Sequence, residues 1–305
     1  MPSPKAMRTS LVKVALPVAG LVVAAVAAHR AGLLSRSGVP GSGAEAPLAK
    51  VVGSAEPREP APQSLAGLDL LRLHVDDEGV SAPLPGGRTA LLTLDPDLQR
   101  TAAALLRAHK FPEAAIVAID PQTGAVLAYA SHVEEGTPRD LNVVASAPAA
   151  SVFKIVTASA LVQRAKLGPD TRQCYSGGEQ RIHPVDLVDD PRRDRWCVTL
   201  AGAMGRSVNT VFARLAQRHL DHDALEAAAR SFGFGESVPF DVPVEASALE
   251  LPTDALGFAR TAAGFWNTTL SPVAAAWMSA GIAKGGEAMR PHVVREVAGP
   301  GKATL

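Results

Sequence analysis

Aromatic side chains make up only 4% of the 305 residues. That leaves little material for base-stacking platforms or for a sugar groove walled by rings. A surplus of one charge is also missing, because 30 Lys and Arg are matched by 30 Asp and Glu. Binding a phosphate backbone needs a basic face, so this balance argues against nucleic acid as the main partner. Cysteine is confined to Cys174 and Cys197, and no Cys or His spacing resembles a metal site. His183, beside Pro184, reads as a loop residue. No metal and no cofactor are expected. No internal repeat marks the chain as a solenoid. The apolar run from Val14 to Ala28 is short beside the roughly 20 residues that a spanning helix prefers. Hydrophobic residues nevertheless total 47%, which suffices for a large core.

Lys5, Arg8 and Lys13 precede that apolar run. Extending the run past Lys13, whose stem can snorkel, to Leu11 gives a marginal span. Two readings fit residues 1–34. The preferred one is an uncleaved single-pass anchor with its basic end in the cytoplasm. The other is a signal peptide cut after Ala27, with Ala25 at the small upstream position. Both put the remaining chain outside the cytoplasmic membrane. Residues 35–63 are rich in Gly, Pro, Ser and Ala and read as a linker. Residues 64–305 read as one α+β domain.

Within that domain, "LRLHVDDEGV" alternates like a strand running into a turn. "TLDPDLQRTAAALLRAH" predicts a helix capped by Asp95, with Pro96 first and Leu98, Ala102, Leu105 and Leu106 as its apolar face. "AAIVAIDPQTGAVLAYAS" predicts a hairpin turning at "DPQTG". A helix is expected over 152–166, stopped by Gly168 and Pro169, and then an irregular polar stretch over 171–195. Helical patterns follow over 200–219 and 224–232, the second closing on "FGFG". "SPVAAAWMSAGIAKGG" predicts a last helix with Ser271 as cap, Pro272 first and Gly285 at its stop. "RPHVVREV" is the final strand candidate.

Two short patterns carry candidate chemistry. Ser151 and Lys154 stand three apart at a helix start, so they share a face about one turn apart. A serine hydroxyl is a weak nucleophile until a base takes its proton. A lysine can do so only when neutral, and Phe153, Ile155 and Val156 around it would disfavour the ammonium. The amides of the helix N-terminus would favour developing negative charge. The competing reading is a capping serine with a solvated lysine. The same tetrapeptide spacing recurs at Ser10 and Lys13, where no chemistry is expected, so context must decide. The second pattern is "GRSVNTVFARLA", with Ser207 and Asn209 flanking one residue ahead of a helix. The two could relay a proton and hold a substrate amide, or Ser207 could simply cap the helix. Asparagine is rare in this chain, occurring only at Asn142, Asn209 and Asn267, which makes the pattern less cheap.

Taken in order, these segments resemble the penicillin-binding transpeptidases, a family of serine acyl-transferases. "LLTLDPDLQRTA" is similar to the lead-in of that domain, "AAIVAIDPQTGAVLAYAS" to its first hairpin, and "LNVVASAPAASVFKIVTASALV" to its nucleophile helix. "GRSVNTVFARLA" with "FGFG" resembles the second-motif region, and "LSPVAAAWMSAGIAKGGEAMRPHVV" the later helix and strand. The resemblance covers roughly residues 91–297. It implies the serine β-lactamase-like fold, an antiparallel sheet with a helical subdomain. It implies Ser151 as nucleophile toward the penultimate D-alanine of a peptidoglycan stem peptide, with Lys154 as its base. Ser207 would shuttle the proton, Asn209 would hold the substrate backbone, and β-lactams would acylate the same serine. Cell-wall synthesis or division proteins would be its partners.

The pattern departs in two places. Ala149 and Ala150 stand where the family favours Pro-Gly. The third motif, Lys-Thr-Gly on a strand facing the serine, is not found; "AKGG" comes too early, and "GPGKATL" follows too closely on "RPHVV". Losing one oxyanion donor typically costs ~3 kcal/mol in the transition state. Either the sequence is incomplete at its C-terminus, which is the favoured expectation, or the protein is a non-acylating scaffold. A β-lactamase or antibiotic sensor of the same fold is a third reading. Cys174 and Cys197 either pair across their loop or stay free thiols.

Overall fold

The computed structural model describes residues 65–109 and 111–299, and the backbone of one short strand before them. That strand, β1 (Val23–Ala24), lies parallel to β5 (Glu113–Ile119), with Val23 opposite Ile116. The rest of the 1–34 anchor segment, and the linker, fall outside the described residues. Among the described residues no helix is long and apolar enough to cross a membrane.

The chain first builds a small antiparallel sheet from β2 (His74–Val75), β3 (Val80–Leu84) and β4 (Arg88–Leu92). The alternating segment expected to be a strand near residue 74 thus reduces to two residues. Asp76 ends it by accepting bonds from the Glu78 and Gly79 backbone. β11 (Val294–Ala298) returns across the molecule to complete this sheet beside β4.

Helix α1 (Pro96–Ala108) starts as the sequence predicts, with Asp95 Oδ1 accepting from the amides of Asp97 and Leu98. Its buried face differs from the one expected. Gln99, Ala102 and Leu106 are buried, whereas Leu98 and Leu105 are exposed to solvent. The reason lies in the next element. β5 and β6 (Val126–Val133) form the predicted antiparallel hairpin. The face toward α1 carries Ala114, Ala118, Ala128 and Ala130. These small residues admit the helix closely on a narrow stripe, and Gln99 clips to Tyr129 by bonds in both directions at 2.8 Å. The opposite face carries Val117, Ile119, Val126 and Tyr129 and faces the main core, as the two-residue period of a strand dictates.

That core is helical. α2 (Phe153–Arg164), α4 (Asn209–His219), α5 (His222–Ser231), α6 (Ala255–Ala262) and α7 (Pro272–Ala283) pack around Phe153, Val156, Phe212, Leu215, Leu225 and Met278. α7 is buried on most sides, and Ser271 caps it as expected by accepting from Ala274. The predicted helix over 200–219 is two helices, α3 (Leu200–Gly205) and α4, broken at 206–208 where Ser207 is left-handed with φ of 54°. The stretch expected to be irregular, 171–195, instead opens with a strand, and a second strand follows directly after it. β7 (Arg172–Tyr175) and β8 (Trp196–Thr199) pair antiparallel and set Cys174 directly opposite Cys197, where a disulfide joins them. A two-stranded ladder of β9 (Ala248–Leu249) and β10 (Thr268–Thr269) lies beside α6. The architecture is α+β, with a helical subdomain against antiparallel strands.

Candidate active site

Ser151 sits in a single 3-10 turn, Ala150–Val152, that leads into α2. Ala150 enters that turn left-handed at φ 48°, a conformation an alanine adopts only when its surroundings enforce it. The turn just beyond α6 packs against it. Gly264 packs so closely that a Cβ there would stand 2.2 Å from the Ala150 carbonyl oxygen and 3.2 Å from the Ser151 nitrogen. Its own φ of 89° also requires glycine.

Lys154, one turn on, is 1% exposed. Its Nζ lies 2.9 Å from Ser151 Oγ and donates to the Ala263 carbonyl at 2.7 Å. The Phe212 ring approaches from another side, with its centroid 6.0 Å away. Among the described residues no carboxylate compensates the buried ammonium, and desolvation pulls its pKa from 10.5 to about 8. A lysine is normally fixed in the charged state at neutral pH; with its pKa near 8, about a tenth of Lys154 is neutral at pH 7. Thr157, one turn further, donates to Ala262 at 2.7 Å and locks α2 against the same α6 end.

Ser207 reaches the site from the left-handed break between α3 and α4, where its hydroxyl donates to Ser151 Oγ at 2.8 Å. The N-cap of α4 is Val208, without a side-chain cap. The capping readings of both serines therefore fail: neither helix start has a side-chain cap, and Ser151 Oγ instead accepts from Ser207 and Lys154. Asn209 opens α4. Its Nδ2 donates to the carbonyls of Gly178 and Glu179, at 3.3 and 2.8 Å. The neighbouring Thr210 donates to Gly177 at 2.7 Å, and a Cβ on Gly178 would stand 1.8 Å from the Thr210 hydroxyl oxygen. The 177–179 segment is thereby pressed on the first turn of α4.

A buried ion-pair network anchors the excursion that carries this segment. Arg214, 1% exposed, donates to Asp194 Oδ2 at 2.6 Å and Oδ1 at 3.1 Å, and also to the carbonyls of Asp186 and Cys174. Hydrogen bonds from Arg214 hold the Asp194 carboxyl below the usual carboxylate range. Arg218 adds a bond to Asp189 at 2.6 Å.

Ser151, Lys154, Ser207 and Asn209, singled out by two short patterns 56 residues apart, are thus brought together. Missed from sequence were the backbone partners: the Ala263 carbonyl, Gly264, and the carbonyls of Gly178 and Glu179. Only the glycines left any trace there, as positions that tolerate neither a side chain nor ordinary φ. The sequence contains no Lys-Thr-Gly, and among the described residues no such strand faces Ser151.

Comparison with known proteins gives the same class. The penicillin binding protein transpeptidase domain matches residues 114–304. The peptidoglycan D,D-transpeptidase PbpA of Mycobacterium tuberculosis is 27% identical over 258 residues, which cover 72% of this chain and 51% of that protein. The structure of penicillin-binding protein A from M. tuberculosis as a ceftriaxone acyl-enzyme complex superposes with a TM-score of 0.59 at 24% identity. The overlap covers 72% of this chain and 56% of that one. Pseudomonas aeruginosa PBP2 in complex with WCK 5153 gives 0.58 at 22% identity, over 72% and 58% of the two chains. This chain belongs to the penicillin-binding protein transpeptidase family. It spans about half the length of the curated relatives it matches.

Proposed function

We propose that this chain carries the acyl-transfer site of a peptidoglycan D,D-transpeptidase. The observation that carries the reading is the position of Ser151 Oγ, held between Lys154 Nζ at 2.9 Å and Ser207 Oγ at 2.8 Å. Neutral Lys154 takes the Ser151 proton as Oγ attacks the carbonyl of the penultimate D-alanine in a stem peptide. The tetrahedral intermediate collapses by breaking the amide C–N bond. The departing D-alanine amine receives the proton held by Lys154, passed on by way of the Ser207 hydroxyl, which lies on the other side of Ser151 Oγ. The amine of a neighbouring stem then attacks the acyl-serine ester, forming the cross-link and returning the proton to the serine. Asn209 has spent its Nδ2 on Gly178 and Glu179, which leaves Oδ1 to accept from a backbone N–H of the substrate.

β-Lactams acylate the same oxygen, because their strained amide stands in for the terminal dipeptide. The relative solved as a ceftriaxone acyl-enzyme supports that part of the reading. An uncleaved N-terminal anchor would hold residues 64–305 on the outer side of the cytoplasmic membrane, where stem peptides are, beside other proteins of cell-wall synthesis. Supporting this placement are the basic residues ahead of Val14 and the disulfide, which suits an oxidising compartment. The test is covalent labelling with a fluorescent penicillin. Wild type should label and Ser151→Ala should not. Absence of label on both would instead favour a non-acylating scaffold.

A further inference from the structure

A cleft of about 230 Å³ opens between residues 180–182 and the turn that follows α6. Gln180, Arg181, Ile182, Arg260, Phe265 and Trp266 line it. Both walls are tied to the site. Gln180 follows Glu179, whose carbonyl holds Asn209, and Phe265 follows Gly264, which touches the Ser151 backbone. A ligand portion running from Ser151 past Asn209 therefore meets this cleft next.

Its chemistry is uneven. Two guanidinium groups line it and no carboxylate does, and neither Arg181 nor Arg260 forms an ion pair among the described residues. Arg260 is fixed by two bonds to the Ile182 carbonyl, at 3.0 and 2.6 Å, which lock the two walls together. Arg181 is exposed at the rim. Trp266 is 66% exposed and left-handed at φ 54°, followed by Asn267 at 57°. Bonds from Phe265 N to Arg260 O, from Asn267 Nδ2 to Thr261 Oγ1 and from Glu250 N to Asn267 O enforce this shape. A large ring held out of the core at a strained position marks a contact surface rather than packing.

We propose that this cleft is a subsite for a side group of the acyl donor that is both apolar and carboxylate-bearing, with the Phe265 and Trp266 rings against its apolar part and Arg181 against its carboxylate. The assignment rests on the reading of Ser151 as the acylated residue. Charge-assisted bonds from arginine to a carboxylate are among the stronger single contacts, and planar guanidinium suits that partner.

The probes are benzylpenicillin and carbenicillin, which differ by one carboxylate on the side chain. With the full chain, carbenicillin should acylate faster than benzylpenicillin. Arg181→Ala should slow carbenicillin about tenfold, as loss of roughly 1.4 kcal/mol implies, and leave benzylpenicillin nearly unchanged. Arg181→Lys should restore part of the difference, and Trp266→Ala should slow both. Equal slowing of the two penicillins by Arg181→Ala would overturn the subsite. Binding can be read without chemistry in the Ser151→Ala chain, through quenching of tryptophan fluorescence that disappears in Trp266→Phe. A lower midpoint for carbenicillin there supports the subsite even if wild type fails to acylate, a result that would sink only the catalytic reading. Equal midpoints overturn the subsite directly.

Discussion

In the proposed reading Ser151 would gain its reactivity from two things that a serine in a helix ordinarily lacks, a base that is partly neutral and a hydroxyl partner on the opposite side. The base is special only because it is buried without a counter-charge, so replacing Lys154 removes proton transfer while the fold loses one bond to Ala263. Lys154→Ala should slow acylation by about 10²–10⁴-fold, the range for loss of a positioned general base, as measured by penicillin labelling rates. Gly264 is the companion residue. Adding one methyl in Gly264→Ala forces the Ala150 carbonyl away from a 2.2 Å approach and strains a φ of 89°. It should lower both the melting temperature and the labelling rate, whereas Gly235→Ala, also left-handed but with open space around it, should change stability with little effect on labelling. At this scale the sequence was informative about side chains and silent about backbone. The one-turn spacing of Ser151 and Lys154 is legible, but the carbonyl of Ala263, 109 residues away, has no residue type that announces it.

Elements explain why the second motif reaches the first. The left-handed residue at Ser207 splits what hydrophobic periodicity presents as one helix, and that split turns the hydroxyl toward Ser151. Periodicity does not see a single positive φ, so 200–219 reads as continuous. The β7–β8 ladder was illegible for a different reason. Its strands are short and separated by a long excursion, and they are tied by the Cys174–Cys197 bond and by Arg214 rather than marked by an alternating hydrophobic pattern. By contrast, Asp95–Pro96, the "DPQTG" turn and Ser271–Pro272 are local signals, and each appears as read. Reduction of the disulfide should cost about 3 kcal/mol by the loop-entropy estimate, seen as a lower denaturant midpoint. Asp194→Asn should destabilise more strongly, in the range of about 3–5 kcal/mol for breaking a buried pair, because Arg214 then keeps only the half-exposed Asp189, at 3.2 Å, as a carboxylate partner. The sign with pH follows from a folded carboxyl held below its unfolded value. Its contribution is complete above the ordinary carboxylate pKa near 4 and is lost as pH falls through the folded value. The stability gap between wild type and Asp194→Asn, by urea unfolding, should therefore be widest near neutrality and shrink in acid. A constant gap would contradict the assignment.

For the whole molecule, the helical core and the β5–β6 hairpin meet along one continuous apolar cluster, while α1 closes the other hairpin face through a smaller one. The site lies where α2, α4 and the end of α6 converge, within the described core. A chain beginning at residue 64 should label with penicillin at the same rate as the full chain, compared in detergent. Loss of label on that truncation would mean that the earlier segments, β1 beside β5 included, are part of the fold that supports the site. The order of five segments along the chain made the family legible, because each segment constrains the next.

The claim at the centre is that Ser151 is activated by the uncharged form of Lys154, whose burial brings its pKa to about 8. The direct test is the acylation rate by a fluorescent penicillin, followed from pH 6 to pH 9 on folded protein. The account predicts a rise of about tenfold per pH unit that levels off near pH 8, with all label on Ser151. A flat or falling profile, or label on another residue, would contradict it.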